Sequence, residues 1–399
     1  MEIVSVEARH VPRSMWGNFW QQQSKVVAAN PMGEYPTRGN DHWSWYMWDQ
    51  GLTIVRVELD NGHVGLGYSE DGFGAATLII NEHLARLCQG QDAENVEGLW
   101  DQLFRSTIPY GRKGIVIEAI SAIDIAVWDA LGKAFERPSY ELLGGHRGIN
   151  LRAYASKIHP DEDLREVRRM AADYKERGYL GIKCNWPHGP KDGRRGILGN
   201  LRFIEAVRDE LGDEIEIMTD AYMGWNRTFA TEMVKHLEEF NLSWLEEPLI
   251  PDDIEGHALL RSLRKVPIAT GEHEFTRFGF QQLLSAGAAD VWQPDVHRVG
   301  GLTEMRRIGH LASANHVPIA PHVYSAATLH SVLSMPSAAW VEHLTVPSYW
   351  EQDDLVPPLF LGEPQVAQGV PELPDAPGIG LTINAEVLPE MEDWVGSNA

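Results

Sequence analysis

The spacing of apolar and polar positions changes twice along the chain. Residues 2–9 and 52–59 alternate apolar with polar, the pattern of half-buried strands, and a third alternation through 63–69 follows the turn Asn61-Gly62. From about 75 to 136 the period lengthens. Val116, Ile120, Ile123, Val127 and Leu131 recur at spacings of three and four, which predicts a helix over Ile115–Phe135. Beyond about 150, short apolar stretches alternate with longer amphipathic ones. Eight candidate strands fall at 151–155, 181–185, 215–219, 243–246, 267–271, 289–293, 317–321 and 339–342. Helices are predicted between them, for example over 163–177, 198–211, 228–239 and 301–314. Strand starts lie roughly 25–30 residues apart, one βα unit each, and eight such units predict a closed barrel.

The pattern divides the chain into an N-terminal α+β domain over 1–135, the domain that would form a cap, and a barrel over 136–359. A Pro-rich tail, 360–399, is expected to pack back on the first domain. One stretch fits neither texture. Residues 11–50 are rich in Trp, Pro, Gly and Asn, and a loop this long inside a compact domain is usually functional or disordered. Trp16, Trp20, Trp43, Trp45 and Trp48 suit a lid that shields a site from water, or equally a patch between subunits of a homo-oligomer.

Composition narrows the function. The 399 residues, 43% hydrophobic, can bury a large core. A formal net charge of −23 repels phosphate backbones and anionic lipid heads, so neither nucleic acid nor a membrane is an expected partner. An anionic small molecule bound here would need local positive charge, such as a divalent metal. Cys88 and Cys184 lie in dissimilar contexts and read as reduced thiols of a cytoplasmic protein. The first residues show no signal-peptide pattern, and no run of about 18 apolar residues occurs.

The chemistry is expected at the C-terminal strand ends, where barrels of this kind build their sites. The second strand ends in Lys183-Cys184-Asn185, the third at Asp220, the fourth at Glu246-Glu247 and the fifth at Glu272-His273. The sixth ends at Asp295, the seventh at His322 and the eighth at Glu342. Asp220, Glu246 and Glu272 are spaced 26 residues apart, so three carboxylates should converge. Each alone could be a loop acid or a helix cap. Together they would repel unless a hard cation joined them, and Mg²⁺ suits three carboxylates with water and substrate oxygens. Asp295 and His322 end neighbouring strands. A carboxylate bonded to one imidazole nitrogen prepares the other as a general base, although most of the chain's 16 histidines need no such role.

These residues carry a resemblance. Trp244-Leu245-Glu246-Glu247-Pro248, Thr270-Gly271-Glu272-His273, Gln293-Pro294-Asp295-Val296 with Gly300-Gly301, Pro321-His322 and Trp340-Val341-Glu342 resemble the mandelate racemase subgroup of the enolase superfamily. So do Ile123-Asp124-Ile125-Ala126-Val127-Trp128-Asp129 and Leu142-Leu143-Gly144-Gly145. The resemblance implies an α/β fold, a modified TIM barrel (β/α)₇β under an α+β cap. It implies Mg²⁺ on Asp220, Glu246 and Glu272, a His322–Asp295 dyad, and Glu342 hydrogen-bonded to a substrate carboxylate. Enzymes of this kind take the proton α to a carboxylate and stabilise the enediolate with the metal. Burial among other acids is expected to raise the Glu342 pKa.

Racemases of the subgroup resemble a Lys-X-Lys pattern on the second strand, whereas this chain has Asn185 at the second lysine position. Asn185 cannot take a proton, which favours one-sided elimination over two-base racemisation. Within the subgroup, Asn30-Pro31-Met32-Gly33-Glu34-Tyr35, Trp186-Pro187-His188-Gly189-Pro190-Lys191-Asp192-Gly193 and Gly271-Glu272-His273 look like acid-sugar dehydratases of the rhamnonate dehydratase type. Gapless matching puts His42 where that type has a substrate-binding Arg. Tyr222 departs from the His of the galactonate dehydratase type. Asn185, His273, His42 and Tyr222 are the expected substrate contacts, for a sugar acid. Lys183 is either catalytic or half of a barrel-filling ion pair. An epimerase or cycloisomerase on the same scaffold, and a barrel that only binds a sugar acid, are the alternatives.

Overall fold

The computed structural model describes residues 1–12, 28–35, 51–70, 72–146, 150–338, 340–345, 347–349 and 358–394. The expected lid residues Trp16, Trp20, His42, Trp43, Trp45 and Trp48 lie outside them. The alternating N-terminal segments form β1 (Ile3–Val11), β2 (Leu52–Leu59) and β3 (Val64–Glu70), an antiparallel sheet in the order β1-β2-β3. Helices α1 (Val96–Thr107) and α2 (Ile115–Ala134) follow. The middle of α2 is buried on every face, because it is wedged between this sheet and the barrel. The sheet approaches it closely at Gly65 and Gly67, where a Cβ would run into the Ala126 and Ala122 carbonyls.

The second domain is a curled parallel sheet with helices outside. Its strands are β4 (Arg152–Ile158), β5 (Gly181–Asn185), β6 (Glu216–Asp220), β7 (Trp244–Glu246), β8 (Ile268–Thr270), β9 (Val291–Trp292) and β10 (Trp340–Leu344), in the order β10-β4-β5-β6-β7-β8-β9. The helices α3 (Leu164–Glu176), α4 (Gly193–Leu211), α5 (Arg227–Leu237), α6 (Ile254–Ser262), α7 (Thr276–Ala286), α8 (Gly301–Ala314) and α9 (Ala326–Leu333) connect them. This is the expected (β/α)₇β architecture.

One expected strand shrinks. In place of a run over 317–321, among the described residues only Ile319 pairs, with Trp292 on one side and Ala338 on the other. Pro318 and Pro321 flank it. Each lacks the N–H a ladder needs, which limits pairing here to the Ile319 bridges among the described residues. Inside, Tyr154, Met218, Trp244, Ala269 and Ala320 fill the barrel as a plugged floor. The tail touches both domains. Ile379 N–H donates to Asp129 Oδ1 at 2.8 Å, Phe360 stacks on Tyr68, and Ala153 N–H donates to the Gly369 carbonyl at 2.8 Å.

Candidate active site

Parallel pairing sets the strand ends level. Asn185 pairs with Asp220 and Asp220 with Glu246, so side chains from β5, β6 and β7 rise together above the floor. Lys183, 2% exposed, donates to Glu246 Oε1 at 2.8 Å and to Glu342 Oε1 at 2.6 Å. The second oxygen of Glu246 accepts from Trp244 Nε1 (3.1 Å) and Gln293 Nε2 (2.6 Å). Asp220 accepts the Tyr222 N–H at 2.7 Å and Asn185 Nδ2 at 3.1 Å. Burial pushes Asp220 up to about 6 and Glu246 up to about 8, against the opposing pull of Lys183.

The opposite flank is more cationic. Glu272 Oε1 lies 3.1 Å from Arg298, 3.1 Å from His322 Nε2 and 3.8 Å from His273 Nε2. Burial opposes its ionisation, but these three groups outweigh it and hold the carboxyl far below its ordinary range. His322 Nδ1 donates to Asp295 Oδ2 at 2.8 Å. Burial alone would lower the His322 pKa, yet Glu272 and the Asp295 bond raise it to about 9. Asp295 itself is held down to about 2, since its bond to His322 outweighs the cost of burial.

Glu342 corrects an expectation. Burial does favour its neutral form, but the Lys183 ammonium and His322 win, and the carboxyl is lowered to about 2 rather than raised. Its other oxygen accepts the Val323 N–H at 3.2 Å. His273 is held by Glu247, with Nδ1 2.8 Å from Oε2, and its ring meets Tyr222 edge-on at 5.5 Å.

The structure therefore gathers Lys183, Asn185, Asp220, Tyr222, Glu246, Glu272, His273, Asp295, His322 and Glu342 at one barrel mouth. The three spaced carboxylates do not share one tight cluster. Among the described residues, the ligand atoms within 4.8 Å of one another belong to Glu247, Glu272 and His273, because Glu246 is drawn onto Lys183. Two participants escaped the sequence reading, Gln293 and Arg298, and Glu247 was read only as a strand end. Glu247 and Gln293 sit inside quoted motifs, and Arg298 lies between two of them, three residues after Asp295.

The donor set fits a hard divalent cation. Asp220, Glu246 and Glu272 are each at most 4% exposed and supply only oxygen, and burial penalises the charge of the first two. Asn185 Oδ1, Gln293 Oε1 and Glu247 Oε1 are further buried oxygens with no hydrogen-bond partner among the described residues.

A capping sheet over a (β/α)₇β barrel, with carboxylates on consecutive strand ends facing a His–Asp pair, matches one family. The chain belongs to the enolase superfamily: residues 166–387 match its "Enolase C-terminal domain-like" family, and 44–144 match "Mandelate racemase / muconate lactonizing enzyme, N-terminal domain". It is 38% identical over 364 residues to the L-rhamnonate dehydratase of Saccharopolyspora erythraea, covering 90% of each chain. Among solved structures it resembles the Gibberella zeae rhamnonate dehydratase complexed with Mg, with a TM-score of 0.87, 30% identity and coverage of 98% and 95%. It also resembles the L-talarate dehydratase of Polaromonas sp. JS666 complexed with Mg and L-glucarate, with a TM-score of 0.77, 28% identity and coverage of 97% and 96%. The chain is an enzyme, a lyase of the hydro-lyase class.

Proposed function

We propose that this chain is a Mg²⁺-dependent dehydratase of sugar acids. It takes the proton α to the carboxylate and eliminates the β-hydroxyl, giving a 2-keto-3-deoxy acid. The observation that carries the reading is the His322–Asp295 pair, 2.8 Å apart, with its free-facing nitrogen turned to Glu272. Asp220, Glu246 and Glu272 would hold the ion. Bound there, Mg²⁺ offsets the second negative charge that develops on the substrate carboxylate.

The protein's own groups move the proton. Asp295 keeps the Nδ1 proton of His322 in place, so Nε2 is the basic atom. Glu272 is the first of the groups that pull the His322 pKa upward, and that pull would weaken were Glu272 to serve as a metal ligand. His322 Nε2 takes the α-proton and the C–H electron pair enters the enediolate. That pair then forms the Cα–Cβ double bond as the β-C–O bond breaks. The imidazolium returns its proton to the departing hydroxyl, water leaves, and the enol tautomerises to the ketone.

Lys183 is pinned between Glu246 and Glu342 and serves as a fixed charge rather than a second base. Asn185, His273 and Tyr222 contact substrate hydroxyls from the rim, and His42 sets preference from the lid. The names of the relatives support rhamnonate as the first acid to test. The acidic charge speaks against nucleic-acid and membrane partners, the two buried free cysteines suit a cytoplasmic protein, and the tryptophan-rich segment suits a homo-oligomer. No helix among the described residues is long and apolar enough to cross a membrane.

A library of mono- and diacid sugars, incubated with Mg²⁺ and assayed for 2-keto-3-deoxy products, tests the reading. At least one acid should yield product. Solvent deuterium at the α-carbon without loss of water would replace it with an epimerase or cycloisomerase. Metal-dependent binding without turnover would leave only a sugar-acid-binding barrel.

A further inference from the structure

The segment after β9 is fastened to the capping domain along its length. Trp100 Nε1 donates to the Gly300 carbonyl at 2.8 Å, and Gly300 N–H donates to Ser121 Oγ at 2.8 Å. Thr303 N–H donates to Asp124 Oδ2 at 2.9 Å, and His297 Nδ1–H donates to the Tyr68 carbonyl at 3.1 Å. Within this clasp lies Arg298, 1% exposed.

Its guanidinium reaches in three directions. One terminal nitrogen meets Glu70 Oε1, at the end of β3, at 2.9 Å. The other meets Glu272 Oε1 at 3.1 Å and the Glu272 carbonyl at 3.3 Å. Nε lies 3.8 Å from Asp295 Oδ2. The contacts of Glu272 with Arg298, His322 and His273 all fall on Oε1, and Oε2 takes no hydrogen bond among the described residues. A planar, always-charged fork can fix one carboxylate oxygen and leave the other presented, which a flexible ammonium cannot do. Glu70 balances the charge. Without it, the full guanidinium charge would bear on Glu272 and compete with any cation there.

We infer that Arg298, anchored by Glu70 of the capping domain, is a positioning residue that aims Glu272 Oε2 at the divalent cation, so that metal affinity depends on the docking of the two domains. The inference rests on the reading of Glu272 as a metal ligand. Groups that orient a ligand typically change affinity by about 10–100-fold when altered.

The test is Mg²⁺ titration of the full chain by calorimetry, with the metal-induced rise in Tm as a second readout. Wild type and Glu272→Gln check the underlying reading: if the wild type binds no Mg²⁺, or Glu272→Gln binds as tightly, that reading fails first. Given a normal wild type, Arg298→Lys should raise the Mg²⁺ Kd by about tenfold or more. Glu70→Gln should move it the same way by a smaller factor, and both should shrink the metal-induced Tm rise. A purely structural strut would lower the metal-free Tm and leave both metal readouts alone. That result in Arg298→Lys overturns the inference, as does an unchanged Kd in Glu70→Gln should Arg298→Lys fail to fold.

Discussion

The two flanks of the barrel mouth bury their carboxylates equally and ionise them oppositely. On the β6–β7 flank, Asp220 and Glu246 are pushed up to about 6 and about 8. Across the mouth, Glu272 and Asp295 are held far below their ordinary values. All four are at most 4% exposed, so desolvation cannot distinguish them. The difference is the number of cations in reach. Glu246 shares a single ammonium, Lys183, with Glu342, whereas Glu272 has Arg298, His322 and His273. Buried charge is tolerated where partners are supplied and rejected where they are shared. The under-neutralised flank is the one that would gain most from a divalent ion, and the over-neutralised flank holds His322, the proposed base.

Removing the metal should have the largest effect. Exhaustive chelation should abolish turnover, with recovery on adding Mg²⁺. Glu246→Gln should lose metal binding or activity, while its far-UV circular dichroism stays that of the wild type. Full turnover after chelation would break the comparison at its root.

The base comes next. His322→Asn should slow α-proton exchange into deuterated water by about 10²–10⁴-fold or more while still binding Mg²⁺ and substrate. Lys183→Ala should retain measurable exchange. The reverse pattern would place the base on β5 and exchange the roles of the two flanks.

His330 isolates burial from charge. Its Nδ1 accepts the Tyr140 N–H at 3.0 Å, and burial lowers its pKa from 6.5 to about 4. The folded state prefers the neutral ring, so its stabilisation is complete above pH 6.5 and is lost as pH falls toward 4. The loss approaches roughly 3 kcal/mol at about 1.4 kcal/mol per pKa unit. Denaturant unfolding between pH 7 and 4 should show it, and His330→Gln should flatten the curve. An unaltered pH slope would mean that burial is not what governs this ring.

The smallest effect sharpens the geometry of the cationic flank. Gly301 adopts φ +79°, and a Cβ there would meet Asp124. Gly301→Ala should lower stability by about 1–3 kcal/mol in chemical denaturation. It should disturb the loop carrying Asp295 and Arg298 and leave the Lys183 flank intact. Full stability would show that this docking tolerates movement.

Much of the site was legible because βα units repeat. The 26-residue spacing of Asp220, Glu246 and Glu272 follows from one strand, one helix and two loops per unit, and consecutive strand ends paired His322 with Asp295 correctly. The seventh strand was over-read, since an apolar run does not reveal what Pro318 and Pro321 withhold from a ladder. Glu342 was misjudged because its acidic neighbours are visible in the chain while the Lys183 ammonium beside it is not.

By its periodicity and the order of its polar strand ends, the chain alone determined the barrel, the cap, and which side chains share one mouth. Backbone hydrogen bonding enforces those features, and it depends on local pattern and element length. Only the tertiary structure decided which cation serves which acid. Glu70 and Arg298 lie 228 residues apart and come from different domains, yet meet at 2.9 Å. Electrostatic pairing depends on ångströms across the fold, and sequence separation carries no measure of that distance.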